Sequence, residues 1–320
     1  MKKWYLFLVS ILLSAGILAG CGNDTAEPKK DGEEKVEEST ETSAFPVTLT
    51  DAADQEVVIE EEPEAIVSLI PSNTEIAFEL GLGEKVVGVS DFDNYPEEVA
   101  DIEKIGGQEF NVEAIIALNP DVVLAHNSGA HNSTEGLDQL RDAGIPVLIV
   151  NDAQNFEEVY DSIEMIGKAT GATEEANQTV EEMKTRLAEI EEKAKSVEEK
   201  KSVFVEISAA PSLYTAGQKT FIDDMLNLIQ AENVIEEEGW PQIDEEAVIE
   251  KNPDVIITTY GYYTENAVET LLSREGWQDV TAVKEKQVYD VHSDKVTRTG
   301  PRLVEGVEEL AKAIYPEVFK

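Results

Sequence analysis

Three histidines, a run of tyrosines and two late arginines are the side chains of this sequence best suited to chemistry. His126, His131 and His292 are its only histidines. Neutral imidazole ligates transition metals, haem iron and cobalt. His126 ends an apolar run, whereas His131, in Gly129-Ala-His-Asn-Ser, reads as a surface loop. A zinc site using all three lacks the short ligand spacings such sites employ. Tyr260, Tyr262 and Tyr263 can supply a phenolate to haem iron or line a cleft. Arg298 and Arg302 present forked donors that suit carboxylate or phosphate, and a spacing of four predicts a shared helix face. A salt bridge to one of the chain's 67 acids is the competing use. There is no Gly-x-Ser-x-Gly, no Gly-x-x-x-x-Gly-Lys loop and no His-Glu-x-x-His. Gly81-Leu-Gly lacks the third glycine and the strand–turn–helix setting of a dinucleotide fingerprint. The chain therefore reads as a non-enzyme with no catalytic residues and no resident cofactor or metal.

Cys21 is the only cysteine, so an intramolecular disulfide is excluded. It follows Lys2-Lys3, an apolar run from Trp4 to Ala19, and Leu18-Ala-Gly. A basic start, a short apolar stretch and small residues before the cut describe an export signal. Leu-Ala-Gly-Cys is similar to the lipobox of bacterial lipoproteins, which implies lipidation at Cys21 and a membrane-anchored, extracytoplasmic chain. Residues 1–20 are then signal peptide. Residues 21–45, rich in Lys, Glu, Asp, Ser and Thr, cannot bury enough apolar surface to offset ordering entropy and read as an acidic tether.

Lys and Arg total 25 against 67 Asp and Glu, a net charge of −42. Such a field repels nucleic acid and anionic headgroups. Its even spread reads as a solvated surface, or as one adapted to high salt or high external pH.

The elements that must position these groups are announced by an internal repeat. Asn111-Val-Glu-Ala-Ile-Ile-Ala-Leu-Asn-Pro-Asp-Val-Val-Leu-Ala returns as Asp244-Glu-Glu-Ala-Val-Ile-Glu-Lys-Asn-Pro-Asp-Val-Ile-Ile-Thr, offset by 133 residues without a gap. Each copy reads as an N-cap, a short helix stopped before proline, and a buried parallel strand, Val122–Ala125 and Val255–Thr258. Further strands are expected at Ala65–Ile70, Val86–Ser90 and Pro146–Val150, then at Val203–Ile207 and Gln287–Val291. Between the halves, residues 173–200 lack Gly and Pro and carry Val180, Met183, Leu187 and Ile190 on one stripe, predicting one long helix. The fold class is α/β. Two lobes with mostly parallel sheets, residues 46–172 and 201–320, are joined by this single helix, with a ligand cleft between them. One rod resists bending, so a small hinge motion is expected.

From about Phe45 to Lys320 the chain resembles the solute-binding proteins of ABC importers that join two α/β lobes by one long helix. It looks most like the cobalamin-binding members. The segments that carry the resemblance are Pro71-Ser-Asn-Thr-Glu-Ile, Gly81-Leu-Gly-Glu-Lys-Val-Val-Gly-Val-Ser, Asp93-Asn-Tyr-Pro, Trp240-Pro-Gln, and Ser293-Asp with Arg298 and Pro301-Arg302. The resemblance implies ligand-binding roles for Tyr95, Phe110, His126, Tyr214, Trp240, Asp294 and Arg298. It also implies that Glu113 and Glu246, which share one slot of the repeat, dock to arginines of a permease dimer. Where cobalamin-binding relatives place further tryptophans, this chain has Gln108-Glu109, His126 and Lys295. The expected function is capture of a cobalamin-like corrinoid for an ABC importer with its permease dimer and ATPase subunits. Haem or a ferric siderophore is the alternative ligand, and a secreted metal-dependent hydrolase or chelatase the distant one. A monomer is expected.

Overall fold

A computed structural model describes residues 44–209 and 211–320. The expected signal peptide, Cys21 and nearly all of the expected tether lie outside the described residues. Among those residues, no helix is long and apolar enough to cross a membrane.

A hairpin, β1 (Val47–Thr50) and β2 (Glu56–Ile59), opens the described chain. The first lobe is then built on β3 (Ile66–Ser68), β4 (Val86–Val89), β5 (Glu103–Lys104), β6 (Val122–His126) and β7 (Val147–Val150). These strands are all parallel, in the order β5-β4-β3-β6-β7. Its helices are α1 (Pro71–Glu79), α2 (Val112–Leu118), α3 (Asn127–Ala130), α4 (Thr134–Asp142) and α5 (Phe156–Thr170). Next comes α6 (Thr173–Ala194).

The second lobe carries β8 (Ser202–Ser208), β9 (Tyr214–Thr215), β10 (Glu232–Asn233), β11 (Val255–Thr258) and β12 (Val288–Asp290). The path β10-β8-β11-β12 is parallel, and β9 pairs antiparallel with β8. Its helices are α7 (Phe221–Leu228), α8 (Glu245–Lys251), α9 (Ala267–Leu272), α10 (Thr281–Lys284), α11 (Ser293–Thr297) and α12 (Leu303–Ile314). Two α/β lobes with mostly parallel sheets are thus the architecture, and each repeat copy supplies one of their helix–strand units: α2 with β6, and α8 with β11.

The repeat's Asn-Pro-Asp has a physical meaning in both copies. Asn119 and Asn252 close their helices in the left-handed conformation, at φ 48° and 46°, which asparagine tolerates better than most residues. Two residues on, Asp121 Oδ2 accepts from the backbone N–H of Glu64 and Ala65 at 2.8 and 2.9 Å. Asp254 Oδ2 accepts from the N–H and hydroxyl of Ser202 at 2.9 and 2.7 Å. Each aspartate thus ties the start of the strand after the helix to the start of its lobe's first parallel strand. The N-caps differ. Asn111 Oδ1 accepts from Ala114 N–H at 3.0 Å, whereas the Asp244 side chain makes no capping bond.

Side chains alternate across both sheets, as the two-residue period requires. Val122 and Leu124 enter one core, and Val123 and Ala125 another. Val255 and Ile257 face the same core as Val122, while Ile256 turns to a third. The apolar stripe of α6, from Ala176 through Val180, Met183, Leu187 and Ile190 to Ala194, lies in that first core and joins both lobes. At 1.5 Å per residue its 22 residues span about 33 Å. The helix stops short of the expected residue 200. Ser196 and Val197 N–H turn back to the carbonyls of Lys193 and Ala194, because Val197 packs on the core and the chain must reverse into β8.

Candidate functional site

In open α/β sheets, ligands meet the carboxyl ends of the strands. Here the half-exposed aromatics gather on the segments that leave those ends. Phe92 and Tyr95 follow β4, Tyr214 lies at β9, and Tyr262 and Tyr263 follow β11. Trp240 is exposed too and belongs to the same corner as Tyr214, where Thr215 N–H bonds the Pro241 carbonyl at 3.1 Å. Its ring sits 5.3 Å from that of Phe221. Tyr262 meets Tyr263 edge-on at 4.6 Å and lies nearly parallel to His292 at 6.3 Å. Tyr260 is not available: it is buried, its hydroxyl donates to Glu206, and Glu206 also accepts two bonds from Arg274, at 2.8 and 2.7 Å.

A cavity of about 490 Å³ opens in the first lobe, between the ends of β3 and β6 and the segments holding Phe92 and residues 107–110. Phe110 and His126 line it together, with Gln108, Glu109 and Ser128. His126 is positioned by its own backbone. It caps α3, and its Nδ1 lies 3.3 Å from the Ser128 N–H donor and 2.8 Å from Ser128 Oγ. A backbone N–H can only donate, so Nδ1 accepts and the ring proton sits on Nε2. Burial holds the imidazole below its ordinary pKa, against the opposing charge of Asp152 and a hydrogen bond to the Asn151 backbone. His126 is therefore held on both sides by backbone, its Nδ1 by Ser128 and its ring N–H by Asn151. His131, at the end of α3, is exposed.

Between the lobes lies an ionic cluster that sequence reasoning did not find. Its centre is Glu75 on α1, whose side chain is 2% exposed. Arg298 Nη1 donates to Glu75 at 2.8 Å, and Arg302 adds a two-pronged contact through Nε and Nη2 at 2.8 and 2.6 Å. Arg298 also donates to Asn94 Oδ1 at 2.7 Å and to the Phe92 carbonyl at 3.3 Å. Asp294 Oδ2 stands 3.2 Å from Arg298 and accepts from Asn94 Nδ2 at 3.0 Å. The Arg302 guanidinium lies 3.9 Å from the Tyr95 ring centre, a cation–π contact. The expected shared helix face is corrected here. Arg298 ends α11 and Arg302 precedes α12, because Gly300-Pro301 breaks the helix between them, and the two meet through Glu75 instead.

The expected site residues therefore fall into groups. Phe110 and His126 share the cavity. Tyr95, Asp294 and Arg298 belong to the ionic cluster, and Tyr214 and Trp240 to the second-lobe corner. Lys295 pairs with Glu309 and Glu305 at 2.7 and 3.0 Å. Glu113 and Glu246 are exposed in the first turns of α2 and α8. Glu75, Asn94 and Ser128 are the additions. Only Ser128, two residues beyond a histidine that ends a strand, had a local signal.

Residues 66–295 match the family model described as periplasmic binding protein. The chain belongs to that family. It is a solute-binding protein rather than an enzyme. Among relatives, it is 52% identical over the full length of both chains to YvrC of Bacillus subtilis (strain 168), an uncharacterized ABC transporter substrate-binding lipoprotein. It is 31% identical to a cobalamin-binding protein of Halobacterium salinarum, over 85% of this chain and 75% of that one. Among solved structures, a possible iron-binding (periplasmic solute-binding) protein of Staphylococcus epidermidis superimposes with a TM-score of 0.73 at 37% identity, covering 80% of this chain and all of that one.

Proposed function

We propose that this chain is a lipid-anchored, extracytoplasmic solute-binding protein that captures a cobalamin-like corrinoid and passes it to an ABC importer. The observation that carries the ligand class is the set of half-exposed aromatic rings around the strand ends of both lobes. A large, flat, mostly apolar molecule is held by such faces, with a few polar groups fixing its orientation. The first-lobe cavity, with Gln108, Asn132 and Ser133 in its lining, supplies polar groups of that kind. The 31% identity to a protein named as cobalamin-binding supports the same ligand. The anchor is Cys21, which agrees with the lipoprotein name of the Bacillus relative. Permease and ATPase subunits are the partners, met through Glu113 on one lobe and Glu246 on the other.

Calorimetry of the soluble domain with cyanocobalamin tests this reading and should give saturable heat. The second reading, haem or a ferric siderophore, is favoured by the exposed phenols of Tyr262 and Tyr263. If haem gives a shifted Soret band, or a ferric chelate gives heat, while cyanocobalamin gives none, the corrinoid is replaced and the binding-protein role stands.

A further inference from the structure

The cluster between the lobes bears on which charges a ligand can carry. Arg298 and Arg302 are its cations among the described residues, and the donors with recorded partners are turned inward. Arg302 gives two bonds to Glu75, and Arg298 is shared among Glu75, Asn94 and the Phe92 carbonyl, with Asp294 beside it. Two positive and two negative groups therefore cancel. The neighbouring Lys295 is likewise held by two glutamates. Lys104 donates to the Ser90 and Asp93 carbonyls. In the cavity itself, the described lining contains no lysine or arginine, one carboxylate, Glu109, and the neutral His126.

We infer that this cleft selects ligands without net negative charge, and that Glu75 is the specificity-determining residue because it neutralises the two arginines an anionic ligand would need. The inference rests on the proposed function and narrows it. Among macrocycles of similar area, the cleft takes those whose edges carry amides or esters and rejects those whose edges carry carboxylates. A carboxylate entering would lose its water beside Glu109 without a free guanidinium to meet it, and an unpaired desolvated charge is costly. Amide oxygens need only a donor, which the side chains of Gln108, Asn132 and Ser133 in the lining can provide without a charge.

The test uses two matched pairs of probes on the soluble protein. The first is dicyanocobinamide and its hydrolysed analogue, with carboxylates in place of amides. The second is deuteroporphyrin dimethyl ester and deuteroporphyrin diacid. In each pair the neutral member should bind at least about tenfold more tightly, the effect of one close uncompensated charge in a partly desolvated site. Glu75→Gln leaves two guanidiniums facing Asp294 alone and should narrow that ratio by about tenfold, through tighter binding of the acid. Asp294→Asn changes the net charge in the same way at a position less central to packing, so it carries the test if Glu75→Gln does not fold. Acids that bind wild type as tightly as their neutral partners would overturn the inference, as would unchanged ratios in the folded variants. Binding of the porphyrin ester but not of dicyanocobinamide would remove the corrinoid reading and keep the charge rule. Failure of both neutral probes would end both.

Discussion

Glu75 and Arg302 lie 227 residues apart in sequence and meet through two guanidinium bonds of 2.8 and 2.6 Å, one to each carboxylate oxygen. Both side chains are almost wholly buried, and the pair holds the start of α12 against α1. Breaking a buried pair leaves a charge without its partner. Arg302→Ala is therefore expected to cost about 2–4 kcal/mol, read from the urea midpoint at unchanged slope. The loss should barely vary with salt. Removing Arg186, whose contact to Glu308 is exposed, should cost far less.

The strand-start clamps of Asp121 and Asp254 share no partner. Each alanine variant should lose about 1–2 kcal/mol, since backbone donors then lose a charged acceptor. The double variant should lose the sum to within about 0.5 kcal/mol. Marked non-additivity in denaturation would show that the two lobes sense one another through these residues.

Alkaline pH should expose the buried phenols. Burial, helped by Glu157, pushes Tyr160 up to about 12. Burial beside Glu206 raises Tyr260 further. A phenol that keeps its proton longer in the folded state contributes stability that is fully present below the unfolded pKa of about 10. That stability is lost as pH rises from there through the folded value. Stability should therefore fall above pH about 10, and less steeply in Tyr160→Phe. Phenolate absorbance should show these two rings ionising only with unfolding.

Trp240 is half-exposed, whereas Trp277 is fully buried beneath Arg274, 4.4 Å from its ring. Cyanocobalamin should quench the emission of Trp240 and leave that of Trp277. Trp240→Ala should weaken binding by about tenfold or more, the range for truncating an aromatic anchor, without moving the thermal midpoint. Unaltered affinity would take Trp240 out of the ligand surface.

Glu113 and Glu246 yield a prediction about transport alone. Reversing both to Lys should lower uptake by the reconstituted importer more than either change does, and leave cyanocobalamin binding by the isolated protein intact. If the two acids served only their helix dipoles, the double variant would lose about 0.3–1 kcal/mol per site and transport normally.

The features legible in the sequence were those written in nearby residues. The α6 stripe shows in a period of 3.6, the parallel strands in β-branched runs, and the duplication in fifteen aligned positions. Asn-Pro reads locally as a helix stop. The aspartate that follows, which fastens the start of a distant strand, has no local mark. Glu75 was invisible for the same reason. It is one of 67 acids, sits in an ordinary helix, and acquires its role from arginines more than 220 residues away. The same contact explains why Arg298 and Arg302 could be recognised as unusual but not assigned a partner. The cavity was only half legible, because Gln108, Glu109 and Ser128 reach it from separate loops whose meeting depends on sheet order.

The apolar seam along α6 also bears on the ancestry of the duplication. Val122 and Leu124 of one sheet, Val203 and Val205 of the other, and Val180 through Ala194 of the helix belong to one continuous interior. Cutting the chain at α6 would strand that oily surface on whichever fragment kept the helix and uncover its counterpart on the other. The two lobes are therefore expected to melt as one cooperative body, with a single transition by calorimetry. Two halves that share a repeated helix–strand unit thus also share the interior that holds each of them together.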